Sequence, residues 1–127
     1  MRILVDTQIF IWMFTEPKRL HPSIIKIMRQ APLLLSMASP WEMMIKYAIG
    51  KLHINAAPDI VVEEHIRRGI ITMLPIELRH IAMLRILPQH HRDPFDRIII
   101  AQAITENIPV VSSDAVFDGY GVRRIWE

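Results

Sequence analysis

Short apolar runs, each separated from the next by a helix-length segment, constrain this chain more than any other feature. Arg2 to Val5, Leu33-Leu34-Leu35, Ile70 to Leu74 and Pro109 to Ser112 are apolar with little polar alternation, and three of them end at Asp6, Ser36 or Ser112. A strand buried on both faces reads this way, whereas a half-exposed strand alternates. Val122 to Trp126 adds a short fifth run. Strands that alternate with helices cannot pair through tight hairpins. The pattern therefore predicts an α/β fold with a central, mostly parallel sheet of about five strands, covered by helices on both faces.

The intervening segments carry their own punctuation. Ile9 to Phe14 reads as a helix stopped by Glu16-Pro17, and Pro22 to Gln30 as a second with Ile24, Ile25, Ile27 and Met28 as its apolar stripe. A third is expected from Ser39 to Ile49 with Gly50 as a left-handed cap, and a fourth from a cap at Asp59 to Arg68. Pro75 to Leu87 and Pro94 to Glu106 complete the set, with Asn107 capping the last. Trp12, Trp41 and Trp126 are most simply core residues.

Composition narrows the function classes. The 127 residues suit one domain, and at 51% apolar residues a folded core is expected. With no cysteine, disulfides and thiolate metal sites are excluded. Asp6 interrupts the first apolar run, so no secretory core is expected, and no run approaches a membrane span. A cytoplasmic protein is the default. Net charge is only +2, yet Arg67-Arg68, Arg92 and Arg123-Arg124 gather basic charge compatible with a polyanionic partner.

Function is read from where the acids fall. In an open parallel sheet, ligands bind beyond the carboxyl ends of the strands. Asp6 follows the first strand, Glu42 lies in the helix entered from the second, and Asp114 follows the fourth. Asp96 stands in the first turn of the helix leading into that fourth strand. Two carboxylates about 4 Å apart repel by on the order of 4 kcal/mol at an effective dielectric near 20, so such a cluster must take up protons or a cation. All-oxygen ligands suit Mg²⁺ or Mn²⁺, which can lower the pKa of water and grip phosphate oxygens. The chemistry implied is phosphodiester hydrolysis.

Each residue also has a purely structural reading. Ser39-Pro40-Trp41-Glu42 satisfies a capping box, so Glu42 has a cap to serve. Asp93 can cap the helix at Pro94, leaving Asp96 as a first-turn acid favoured by the helix dipole. Asp6 and Asp114 can be strand-end or turn residues. Lys46, one turn after Glu42, can pair with it or contact phosphate. His90 and His91 read as solvated or substrate-facing, forming a basic rim with Arg92.

Ile3-Leu4-Val5-Asp6-Thr7, Ser39-Pro40-Trp41-Glu42 with Lys46 and Gly50-Lys51-Leu52, His91-Arg92-Asp93-Pro94-Phe95-Asp96-Arg97 through Ala103, and Val111-Ser112-Ser113-Asp114 occur in that order. The chain thereby resembles PIN-domain ribonucleases of the VapC-like toxin group from prokaryotic toxin–antitoxin pairs, along nearly its whole length. The resemblance implies a single PIN-like domain over residues 1–127, an acidic pocket binding Mg²⁺ or Mn²⁺, and cleavage of RNA. It assigns Asp6, Glu42, Asp96 and Asp114 to the acidic set and Ser112 to an accompanying hydroxyl. Ser112, Lys46 and Arg92 are expected substrate contacts, with Asp93 and Thr7 as additional members. It also implies a homodimer and a cognate antitoxin that reaches into the pocket. Gln8, where relatives often carry His, and Pro40 depart from the pattern without removing an acid.

The alternative is a non-catalytic PIN-like module that binds RNA or protein, which would lack carboxylate-dependent Mn²⁺ affinity. A receiver-type phosphoacceptor is disfavoured because Val5-Asp6-Thr7 has one acid and Leu35-Ser36-Met37 none. A haloacid-dehalogenase-type phosphatase would need a second Asp in place of Gln8.

Overall fold

The sheet is organised outward from the first strand. The computed structural model describes residues 1–91 and 93–126. β1 (Ile3–Val5) is central and pairs in parallel with β2 (Leu33–Ser36). β3 (Thr72–Leu74) extends the sheet beyond β2. On the other side of β1 lies β4 (Val110–Val111), followed by β5 (Arg124–Ile125). The order β3-β2-β1-β4-β5 is parallel throughout, rather than only mostly so.

Strand residues alternate between two cores. Leu4, Leu34, Leu74 and Val110 face one cluster with Ile98, Ile99 and Ala103 of α6 (Pro94–Glu106), against which Met83 of α5 (Leu78–Met83) also packs. Ile3, Val5, Leu33, Leu35 and Val111 face the other. That second core receives Ile9 and Phe10 of α1 (Thr7–Thr15), Ile24 and Met28 of α2 (Pro22–Arg29), and Val62 of α4 (Pro58–Arg67). α3 (Ala38–Ala48) contributes Ala38 to the first and Met43 to the second. Each fully buried Ile, Leu or Val contributes on the order of 1.5–3 kcal/mol, so the three layers are held from both faces of the sheet.

Ile98 through Ala103 are all buried, which makes α6 a helix enclosed on every side and a firm mount for whatever its N-terminus carries. Its C-terminus turns through Asn107 at φ 54°, a left-handed position that Asn tolerates well.

Several elements differ from the sequence reading. α1 starts at Thr7, two residues early, because Asp6 already has the extended backbone of a cap. α4 is entered through Ala57 and Pro58, so Asp59 lies inside its first turn instead of capping it. α5 spans only Leu78–Met83 instead of Pro75 to Leu87, and just beyond it the Leu84 and Pro88 carbonyls accept from the Arg97 guanidinium. A 3₁₀ segment over Ala115–Tyr120, capped by Asp114, had no signal in the periodicity. No helix among the described residues is long and apolar enough to cross a membrane.

Candidate metal centre

Parallel strands bring their carboxyl ends to one edge, and register does the fine placement there. Val5 stands opposite Val111, so the next rung sets Asp6 beside Ser112. The Asp6 amide donates to the Val111 carbonyl (3.0 Å), and the Ser112 hydroxyl donates to Asp6 Oδ2 (2.7 Å). Ser112 Oγ also accepts the Asp114 amide at 3.0 Å. Ser112 has no exposed surface, and its hydroxyl joins the Asp6 carboxylate to the backbone of Asp114.

The capping-box reading of Glu42 fails in an informative way. α3 begins at Ala38, whose amide is taken by Ser36 Oγ (3.0 Å), leaving Ser39 already inside the helix. Its hydroxyl pairs instead with Thr7 Oγ1 at 2.7 Å, both residues being buried. Pro40 costs nothing there because first-turn amides have no helical acceptor. Released from capping, Glu42 faces the cleft. Its Oε2 accepts from Lys46 Nζ (2.7 Å), while Oε1 is buried and has no partner among the described residues.

Asp93 is the cap of α6. Its Oδ1 accepts the amides of Phe95 (2.8 Å) and Asp96 (3.3 Å). Asp96 is thereby free of local duty and turns toward the sheet edge, where His91 Nε2 lies 2.9 Å from its Oδ2 and 3.2 Å from Asp114 Oδ2. Asp114 Oδ1 accepts the Val116 amide (3.0 Å) and starts the 3₁₀ segment.

Asp6, Thr7, Glu42, Lys46, Asp93, Asp96 and Asp114 line a cleft of about 250 Å³. Three other hollows are larger, of about 500, 450 and 330 Å³; the first two lie against α2, and none of the three brings carboxylates together. Burial, opposed by the Ser112 hydroxyl and reinforced by Glu42 and Asp114, pushes the Asp6 carboxyl up to about 6. Burial and then the charges of Asp6, Asp93, Glu42 and Asp114 push Asp96 up to about 8. Glu42 in turn holds the Lys46 ammonium above its ordinary value. The donor set fits a hard divalent cation: several carboxylates converge, their charge is unbalanced, and a buried Glu42 oxygen lacks a partner.

The PIN domain family model matches residues 3–122. The chain belongs to the PIN domain family. Similar solved structures share its fold at low identity. VapBC2 from Rickettsia felis, bound to a DNA fragment from its promoter, gives a TM-score of 0.73 at 13% identity, covering 98% of each chain. DNA-bound VapBC from Salmonella typhimurium gives 0.72 at 16% identity, covering 98% of this chain and 97% of that one. A toxin-antitoxin complex from Klebsiella pneumoniae gives 0.58 at 16%, covering 88% and 86%. Among curated proteins, none matches by sequence.

Within this PIN fold the structure brings Asp6, Glu42, Asp96, Asp114, Thr7, Lys46 and Asp93 to one cleft, with Ser112 beneath it. Arg92 lies outside the described residues. His91, expected to be solvated or substrate-facing, is half-buried between two acids. Tyr120, whose hydroxyl accepts the His91 amide (2.6 Å), had no signal in the sequence. Trp41 is 60% exposed, packing edge-on against Phe95, and is not a core residue.

Proposed function

We propose that residues 1–127 form a single PIN domain acting as a metal-dependent endoribonuclease toxin, which hydrolyses RNA phosphodiester bonds and is neutralised by a cognate antitoxin. The observation that carries this reading is the convergence of Asp6, Glu42, Asp96 and Asp114 from four separate segments on one cleft, where burial and then the neighbouring carboxylates raise the Asp6 and Asp96 carboxyls. Mg²⁺ or Mn²⁺ is the cation this oxygen set favours. Such an ion, when bound, lowers the pKa of a coordinated water and offsets charge on the phosphoryl oxygens.

The residues divide the remaining work. Asp6, Glu42, Asp96 and Asp114 hold the ion, and Ser112 fixes the orientation of Asp6. Asp93, by capping α6, directs Asp96 into the cleft. The half-exposed Lys46 offers its ammonium to a backbone phosphate beside Glu42, and Arg92 is assigned the same task. Thr7 braces the entrance to α3 through Ser39.

The antitoxin partner is supported by the toxin-antitoxin complex among the structural neighbours. Homodimer formation and a cytoplasmic setting belong to the same reading. The test is cleavage of RNA by purified, antitoxin-free protein with Mg²⁺ or Mn²⁺, against an Asp96→Asn control. Cleavage that needs the ion and Asp96 supports the proposal. No cleavage with either ion, or cleavage equal in the variant, overturns it.

A further inference from the structure

His91 is the one basic ring placed among the acids, and its surroundings define which nitrogen carries hydrogen. The Asp93 N–H donates to Nδ1 at 3.2 Å, so Nδ1 presents a lone pair. The ring hydrogen therefore sits on Nε2, which faces Asp96 Oδ2 (2.9 Å) and Asp114 Oδ2 (3.2 Å). In that tautomer Nε2 has no lone pair for a cation. The cluster of His91, Asp96 and Asp114, whose ligand atoms lie within 4.8 Å of one another, is thus a donor between two acceptors rather than a nitrogen-containing metal site.

Three contacts immobilise the ring. The Asp93 amide holds one edge, the His91 amide donates to Tyr120 Oη (2.6 Å), and Phe117 packs edge-on at 6.3 Å. Those contacts come from the cap of α6 and from the 3₁₀ segment. The same two elements carry Asp96 and Asp114.

We infer that His91 is a positioning residue that bridges Asp96 and Asp114 through Nε2–H, holding the two carboxylates in register for a divalent cation before the cation arrives. Groups that orient metal ligands from behind typically set affinity by about ten- to a hundred-fold. The inference rests on the metal-centre reading above, so its test has one arm that needs metal and one that does not.

In the first arm Mn²⁺ alone is titrated calorimetrically into wild type, His91→Ala and His91→Gln. The Gln amide reaches the position of Nε2 with a donor but no ring. The expected result is affinity weakened about ten-fold or more in His91→Ala and restored close to wild type in His91→Gln. Equal or tighter binding by His91→Ala, or no recovery in His91→Gln, overturns the inference. In the second arm the imidazole nitrogens of metal-free wild type are observed by NMR at neutral pH. Hydrogen on Nε2 of His91 is expected, and a tautomer with its hydrogen on Nδ1 alone overturns the inference. Should wild type bind no Mn²⁺, the metal-centre reading fails and the tautomer alone decides whether His91 bridges the two acids.

Discussion

Replacing Asp6 by Asn is expected to make the metal-free protein more stable at pH 8 while destroying its centre. Asp6 is buried, and its carboxyl is raised from 3.8 to about 6. A raised folded value means that the proton is held more tightly in the folded state. Below about pH 4 the folded and unfolded forms are both protonated and no penalty exists. The penalty grows between pH 4 and 6 and is complete above 6, where two units correspond to about 3 kcal/mol. Asn can keep an oxygen for the Ser112 hydroxyl but places an amide NH₂ where an acceptor stood, which costs about 1 kcal/mol. The net gain at pH 8 is about 2 kcal/mol, or roughly 8 °C in melting temperature for a domain of this size. Thermal denaturation in EDTA at pH 4.5 and pH 8 measures it. The gain should shrink or reverse at pH 4.5, and Mn²⁺ should raise the melting temperature of wild type alone. A variant that is less stable than wild type at pH 8, or shifted equally at both pH values, refutes the electrostatic account.

Two further outcomes follow from the same geometry. Asp93→Ala removes the cap of α6 and should lower stability by about 1 kcal/mol in denaturant titration, whereas Asp96→Asn should abolish RNA cleavage and leave the metal-free protein at least as stable. Ser112→Ala removes the hydroxyl that lowers the Asp6 carboxyl, so Asp6 should rise further and the loss of stability should be larger at pH 8 than at pH 4.5.

The strands and their parallel arrangement were legible because each apolar run is buried on both faces, which leaves a plain signature in Leu33-Leu34-Leu35 or Val110-Val111. The acids were legible because they end strands or begin helices. What escaped depended on contacts distant in sequence. Ser39 reads as the cap of a box with Glu42, but Thr7, thirty-two residues away, pairs with its hydroxyl, and Ser36 takes the Ala38 amide where the helix starts. Nothing local to His91 announces that Asp114 lies against it across twenty-three residues. α5 is shorter than its apolar spacing suggests, and the carbonyls of Leu84 and Pro88 just beyond it are met by Arg97, a residue from the next helix. Trp41 was assigned to the core on its size alone, yet it is exposed beside Phe95.

The central position of β1 also orders events in time. Its β2 side is made from chain that follows soon after it, whereas its β4 side comes from residues 110–111, more than a hundred positions later. During synthesis at about 5–20 residues per second, Asp6 waits roughly 5–20 s for the strand that brings Ser112 and Asp114 beside it. Asp96 arrives only shortly before. The mutual repulsion of the acids is thus deferred until Asp96 and Asp114 have been made, and a chain that stops short of them carries half a cleft. A cleft assembled in this way is incomplete until residues 110–114 have emerged.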